Sequence, residues 1–180
     1  CNPDYAEAHN NLGNTYTEQA KLREAETSYR RALSLKPDLS VVYNNLGNTL
    51  HSLGKLDEAE ASFRTALSLD SDYAEAWNNL GSALHTLGKL DEAEANCRVA
   101  LALKPDYAEA HNNLANTLLE QRRLGEAEES FRCSIALRPN IAETHYNLGL
   151  ALQALGQLGE AEASYAVSYT HLRAHETINH

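Results

Sequence analysis

Residues 72–105 read DYAEAWNNLGSALHTLGKLDEAEANCRVALALKP, and the fold turns on this stretch. In its first half Trp77, Leu80, Gly81 and Leu84 fall at helical spacing, which predicts a first helix near 73–86 with Asp72 as its cap. Gly88 suits the left-handed residue that ends such a helix. In the second half Asp91, with Glu94 three residues on, forms a capping-box pattern. Ala93, Cys97, Ala100 and Leu101 make the apolar stripe of that helix, and Lys104-Pro105 stops it. The stretch therefore encodes two antiparallel helices.

The same pattern recurs along the chain. Asn-Leu-Gly occurs at 11–13, 45–47, 79–81 and 147–149, with Asn-Leu-Ala at 113–115, and the step is 34 residues. Glu-Ala-Glu keeps the same interval at 24–26, 58–60, 92–94, 126–128 and 160–162. So do Pro37, Pro105 and Pro139, with Ser71 standing in once. A fixed period of this size signals a solenoid, whose units bury their apolar faces only against neighbours. The expected fold is all-α, with units at about 6–39, 40–73, 74–107, 108–141 and 142–166, the last truncated. Acidic residues open each second helix and Arg30, Arg64, Arg98 and Arg132 lie in its later half, complementing the helix dipole.

Small residues hold fixed phases. A Gly inside a helix costs about 1 kcal/mol relative to Ala. Gly13, Gly47, Gly81 and Gly149 nevertheless recur, as do Ala25, Ala59, Ala93, Ala127 and Ala161. Such positions let paired helices approach closely, with Tyr29, Phe63, Phe131 and Tyr165 filling the adjacent space. The pattern encodes packing rather than catalysis.

Composition bounds the function. The chain has 180 residues, with 25 acidic against 15 basic side chains, a formal charge of −10. That balance argues against a nucleic-acid groove and against anionic membranes. No apolar run approaches the ~18–20 residues that span a bilayer. Cys1, Cys97 and Cys133 lack metal-ligand spacing and read as free thiols. With no Asn-x-Ser/Thr acceptor site either, an intracellular, cytoplasmic setting is expected. The chain contains no Met and opens Cys1-Asn2-Pro3, so it reads as an interior piece of something longer.

The large aromatic or His before Asn-Asn-Leu-Gly (His9, Tyr43, Trp77, His111), the loop Gly, the Ala and aromatic of the second helix and the closing Pro resemble the tetratricopeptide repeat. The resemblance covers roughly residues 3–166. Arg122 departs from it at the loop Gly, Cys97 at the aromatic and Ser134 at the later Ala. It implies a right-handed superhelical solenoid of about five units, whose first helices line a concave groove that binds peptides or protein surfaces. The Lys and Arg of the carboxylate-clamp members are absent here, which disfavours capture of a free C-terminus. The stretch Tyr29–Asp38 is also similar to the repeat region of protein O-GlcNAc transferases. That likeness implies an alternative, a substrate-recognition segment whose catalytic domain lies elsewhere.

Within such a groove, Asn11, Asn45, Asn79, Asn113 and Asn147 recur on the first helices. Asn10, Asn44, Asn78 and Asn112 precede four of them, and Asn14, Asn48 and Asn116 follow one turn later. An amide both donates and accepts, so this Asn ladder is expected to hold the backbone of an extended polypeptide without reading its sequence. A purely structural role, tying adjacent helices together, is the competing reading. Glu7, Glu75, Glu109 and Glu143 recur at the helix starts, and Glu18, Glu120, His51 and His85 near the ends. His9, His111 and His145 share a phase with Tyr43 and Trp77 and so belong to packing. His51 and His85 could stack across neighbouring units. No nucleophile elbow, phosphate loop or zinc-protease motif occurs, so neither catalysis nor a cofactor nor a metal is expected. End-to-end self-association through uncapped repeats is expected instead.

After Tyr165 the pattern breaks. Residues 167–177 can be encoded by the DNA of a transposase-type sequencing adapter, so 167–180 is expected to be a non-native tail. His171 and His175 then lose any meaning as a metal pair at i, i+4.

Overall fold

The computed structural model describes residues 3–178, with side chains from 5 to 171. Among them are ten α-helices and no strand. The chain divides into two compact units, Cys1–Lys89 and Leu90–His180. The first holds α1 (Pro3–Glu18), α2 (Leu22–Leu35), α3 (Ser40–Ser52), α4 (Leu56–Leu69) and α5 (Ala74–Thr86). The second holds α6 (Leu90–Leu103), α7 (Ala108–Glu120), α8 (Leu124–Leu137), α9 (Ala142–Ala154) and α10 (Leu158–Ile178).

Sequential helices pack as antiparallel hairpins, α1 on α2 and α3 on α4 in the first unit, α7 on α8 and α9 on α10 in the second. The small residue of the first helix makes this possible. A Cβ added at Gly47 would stand 2.6 Å from the Phe63 ring, and one at Gly13 or Gly149 would stand 2.5 Å from Tyr29 or Tyr165. Ring and backbone are in direct contact, and Tyr29, Phe63 and Phe131 are almost fully buried. Around Phe131 a core forms from Cys97, Leu114, Leu118, Leu148 and Leu152. Burial pushes the Cys97 thiol up to about 12, with the Glu94 charge adding to the effect, so this cysteine stays protonated. Cys133 is free and exposed, and Cys1 lies outside the described residues.

Each hairpin turn uses one residue at positive φ: Ala20, Gly54, Gly88, Arg122 and Gly156. After α3, Gly54 N–H donates to His51 O and Lys55 N–H to Leu50 O, each at 2.9 Å, the Schellman arrangement. Gly88 does what its sequence position suggests. Arg122, in place of the usual Gly, is forced to φ 63° by the same two bonds, from Arg122 N–H to Leu119 O and from Arg123 N–H to Leu118 O.

The expected caps do not form. α5 begins at Ala74 with Tyr73 as its N-cap and no side-chain cap bond, so Asp72 stands outside. α6 begins at Leu90, which places Asp91 within the first turn. The Schellman turn is so short that the residue after the positive-φ position is already the N-cap, as Lys55 and Arg123 show. Acidic residues therefore enter the helix, where they still favour its N-terminal dipole. At the other end α10 runs on through residue 178.

Those acidic residues also bind the second helices together. Glu26 pairs with Arg30 on its own helix at 3.0 Å and with Lys55 of the next turn at 2.8 Å, and Arg30 reaches Glu58 of α4 at 2.5 Å. In the second unit Arg98 bridges Glu94 and Glu126, and Arg132 reaches Glu160. Within each unit the backbones of neighbouring second helices do not meet, whereas α1 meets α3, α3 meets α5 and α7 meets α9. Within each unit the first helices thus stand closer together than the second helices. The wider outer gaps are spanned by long Arg–Glu pairs.

Three measurements follow from these features. Relieving the left-handed strain with Ala20→Gly or Arg122→Gly should raise the urea midpoint, by up to about 1 kcal/mol of stability. Gly47→Ala should lower stability by about 1–3 kcal/mol, because Phe63 must shift. The upper half of that range is less expected, since Ala115 already faces Phe131 at the equivalent place. Acid should also destabilise the fold. Burial opposes the charge on Glu26 and Glu94, yet Lys55 with Arg30, and Arg123 with Arg98, hold both carboxyls below the usual range. For Glu60 the bond from Lys89 outweighs burial. A carboxyl with a lowered folded pKa stabilises above its unfolded value of about 4.3 and loses that stabilisation as pH falls through the folded value. The urea midpoint should therefore drop below this range, and less steeply in a Glu26→Gln/Glu60→Gln/Glu94→Gln variant.

Candidate functional site

The inner face of each unit is built from one stripe per first helix. On α1 the stripe runs Glu7, Asn11, Asn14, Glu18, at i, i+4, i+7 and i+11, positions that share a helix face. On α3 it runs Val41, Asn45, Asn48, Ser52, and on α7 Glu109, Asn113, Asn116, Glu120. The amides of adjacent stripes meet. Asn45 Nδ2 donates to Asn14 Oδ1 at 3.2 Å and to Asn10 Oδ1 at 3.4 Å. In the second unit Asn147 Nδ2 donates to Asn116 Oδ1 at 3.0 Å.

The remaining valences matter most. Asn14 Oδ1 also accepts from Tyr29 Oη at 2.8 Å, which fills its two lone pairs and leaves the Nδ2 hydrogens unbonded. Asn45 has spent its Nδ2 and keeps its Oδ1. Each such pair therefore shows one amide donor and one amide acceptor side by side. Asn11 and Asn48 are exposed and their side chains bond to no described residue.

The Asn phase one residue earlier sits deeper. Asn44 and Asn78 are only 5% and 4% exposed. Asn44 accepts from Asn79 Nδ2 at 3.0 Å and donates to Tyr73 Oη at 3.3 Å, while Asn78 donates to Asn79 Oδ1 at 3.4 Å. Asn112 accepts from Thr144 Oγ1 at 3.1 Å, and Asn113 is half-buried. These side chains are occupied with the seam between first helices. Sequence reading placed all three phases in one ladder, with helix tying as the competing role; it had no means of telling which amides are spent on one another.

The aromatic phase has a definite task. Trp77 Nε1 donates to Ser71 O at 2.8 Å, and His111 Nε2 lies 3.0 Å from Pro105 O and His145 Nε2 2.8 Å from Pro139 O. A carbonyl only accepts, so both histidines carry a proton on Nε2 and tie the first helix to the loop before it. His51 Nε2 lies 3.3 Å from Thr86 Oγ1 of α5. The ring of His171 stands 6.1 Å from that of His145, and the side chain of His175 is outside the described residues. No group of three or more His, Cys, Asp or Glu among the described residues could hold a metal ion. No helix among them is long and apolar enough to cross a membrane.

The outer gap between α2 and α4 forms a crevice of about 440 Å³. Leu33, Leu46 and Leu50 make its floor, and the Arg30–Glu58 pair crosses its mouth. The stacking of helices on an aromatic hairpin core explains this gap as a by-product of splayed second helices.

Comparisons with known proteins bear on this geometry. Tetratricopeptide repeat sequence models match residues 6–39, 44–108, 87–132 and 112–175. No curated protein matches the sequence. Among solved structures, PilF of Pseudomonas aeruginosa superposes with a TM-score of 0.85 at 22% identity, over 93% of this chain and 77% of that one. YrrB, described as having an unusual peptide-binding site, gives 0.73 at 22% identity, over 97% and 90%. The first repeat domain of Spaghetti (RPAP3), solved with an HSP90 peptide, gives 0.66 at 28% identity, over 67% and 96%. With matching models spanning most of its length and an all-helical hairpin fold shared with these structures, the chain belongs to the tetratricopeptide repeat family.

Proposed function

We propose that this chain is a protein-interaction module holding an extended polypeptide along its first-helix face. One observation carries the reading: the Asn14–Asn45 and Asn116–Asn147 pairs each keep a donor and an acceptor unbonded. Those two groups match the C=O and N–H that a peptide bond offers. The mutual bonds fix the amides before a ligand arrives, which lowers the entropy cost of binding. The peptide-binding site described for YrrB and the peptide complex of RPAP3 support the same kind of occupant. Tying helices and contacting ligand are then one arrangement, because the bond that ties the seam also orients the free edge.

A displayed dodecapeptide library panned against the full chain supplies the probe. Asn11→Ala/Asn48→Ala removes exposed amides that bond to nothing described, so thermal stability should hold. Affinity for a selected peptide should fall about tenfold, the loss of two neutral hydrogen bonds. An unchanged Kd would sink the reading. Asn45→Ala, by contrast, should lower both stability and affinity.

Self-association has its own support. Leu12 is 41% exposed, although Leu46 and Leu80 at the same repeat phase are 3% and 1% exposed. Leu158 and Tyr169 of α10 are exposed as well. Sedimentation equilibrium should show a concentration-dependent mass, and Leu12→Gln should abolish it; a fixed monomer mass at all concentrations would refute the contact.

A further inference from the structure

The first helices carry no Lys or Arg: α1, α3, α5, α7 and α9 contain none. Basic side chains stand on second helices and turns, where Arg30, Lys55, Arg98, Arg123 and Arg132 are held in ion pairs with glutamates. On the first-helix face of the first unit, Glu7 and Glu18 flank Asn11 and Asn14 and are exposed without a described hydrogen bond or ion pair. In the second unit Glu143 is likewise exposed and unpaired. Charge is thus largely sorted by helix: most paired cations lie between second helices, Arg138 reaches Glu109 of α7, and the α1 stripe that offers free amides has two unpaired carboxylates and no basic residue on its own helix.

From this segregation we infer that the occupant of the face is an extended segment bearing Lys or Arg side chains and lacking Asp and Glu. The inference rests on the proposed function and names the chemistry of its ligand. The amides hold the backbone and are indifferent to sequence. Selection then falls to charge, since a long cationic side chain from a segment lying on the Asn stripe reaches a carboxylate at either end of it. On the α1 stripe an acidic segment meets the like charges of Glu7 and Glu18, which rejects it by repulsion.

Panning the dodecapeptide library against the full chain tests the inference. Binders should be enriched in Lys and Arg over the input and depleted in Asp and Glu, and their affinity should weaken as salt rises. For one selected peptide, Glu7→Gln/Glu18→Gln should weaken binding about tenfold, from two exposed charge pairs. Glu24→Gln/Glu129→Gln removes the same charge from second helices and should leave the affinity unchanged. Equal losses in the two variants, or binders without a basic bias, overturn the inference while the groove reading stands if Asn11→Ala/Asn48→Ala still weakens binding. Basic binders indifferent to the Asn substitutions overturn the groove reading, and a library that yields no binders overturns both.

Discussion

The contact between a helix backbone and an aromatic ring governs the rest of this structure. Where Gly47 meets Phe63, and Gly13 meets Tyr29, only the ring itself separates the two helices of a hairpin. The hairpin is therefore thin at that level, and its apolar faces are left to be covered by the hairpins before and after. Leu33 and Leu67 are buried in this way although they lie at the ends of second helices. A unit built so closely has little core of its own, which is why the fold exists only as a stack.

Close pairing also decides where chemistry can be displayed. Within each unit neighbouring first helices touch, and side chains there must be small, polar and able to bond one another. Asn meets all three demands. Neighbouring second helices stand apart, and only long side chains such as Arg30 and Arg132 can reach across. Each exposed pair contributes little alone, on the order of 0–1 kcal/mol. Shared partners such as Glu26, with both Arg30 and Lys55, turn isolated pairs into a network. The outer surface is in this way stabilised by charge and the inner surface by amides, which leaves Glu7, Glu18 and Glu143 without an ion-pair partner among the described residues.

Much of this was legible in the sequence because it is periodic. Ring phases, small-residue phases and loop glycines recur every 34 residues, and a recurring cost such as an intrahelical Gly needs a recurring cause. The failures were local. Asp72 and Asp91 have the composition of caps, but the Schellman turn uses up the residues between helices and moves Asp91 into the first turn. Composition reports which residues favour a helix start; it does not report where a three-residue turn lets the helix begin.

By itself the sequence determined the helical hairpins, their repeat length, the rings in their cores and the asparagines on their first helices, because each is a consequence of spacing along one chain. Only the tertiary structure decided which amides are free. Asn14 and Asn45 are 31 residues apart, Asn44 and Tyr73 are 29, and no periodicity distinguishes the buried phase from the available one. A hydrogen bond depends on where two helices come to rest against each other, and that is fixed by the packing of glycine against ring and of one hairpin against the next.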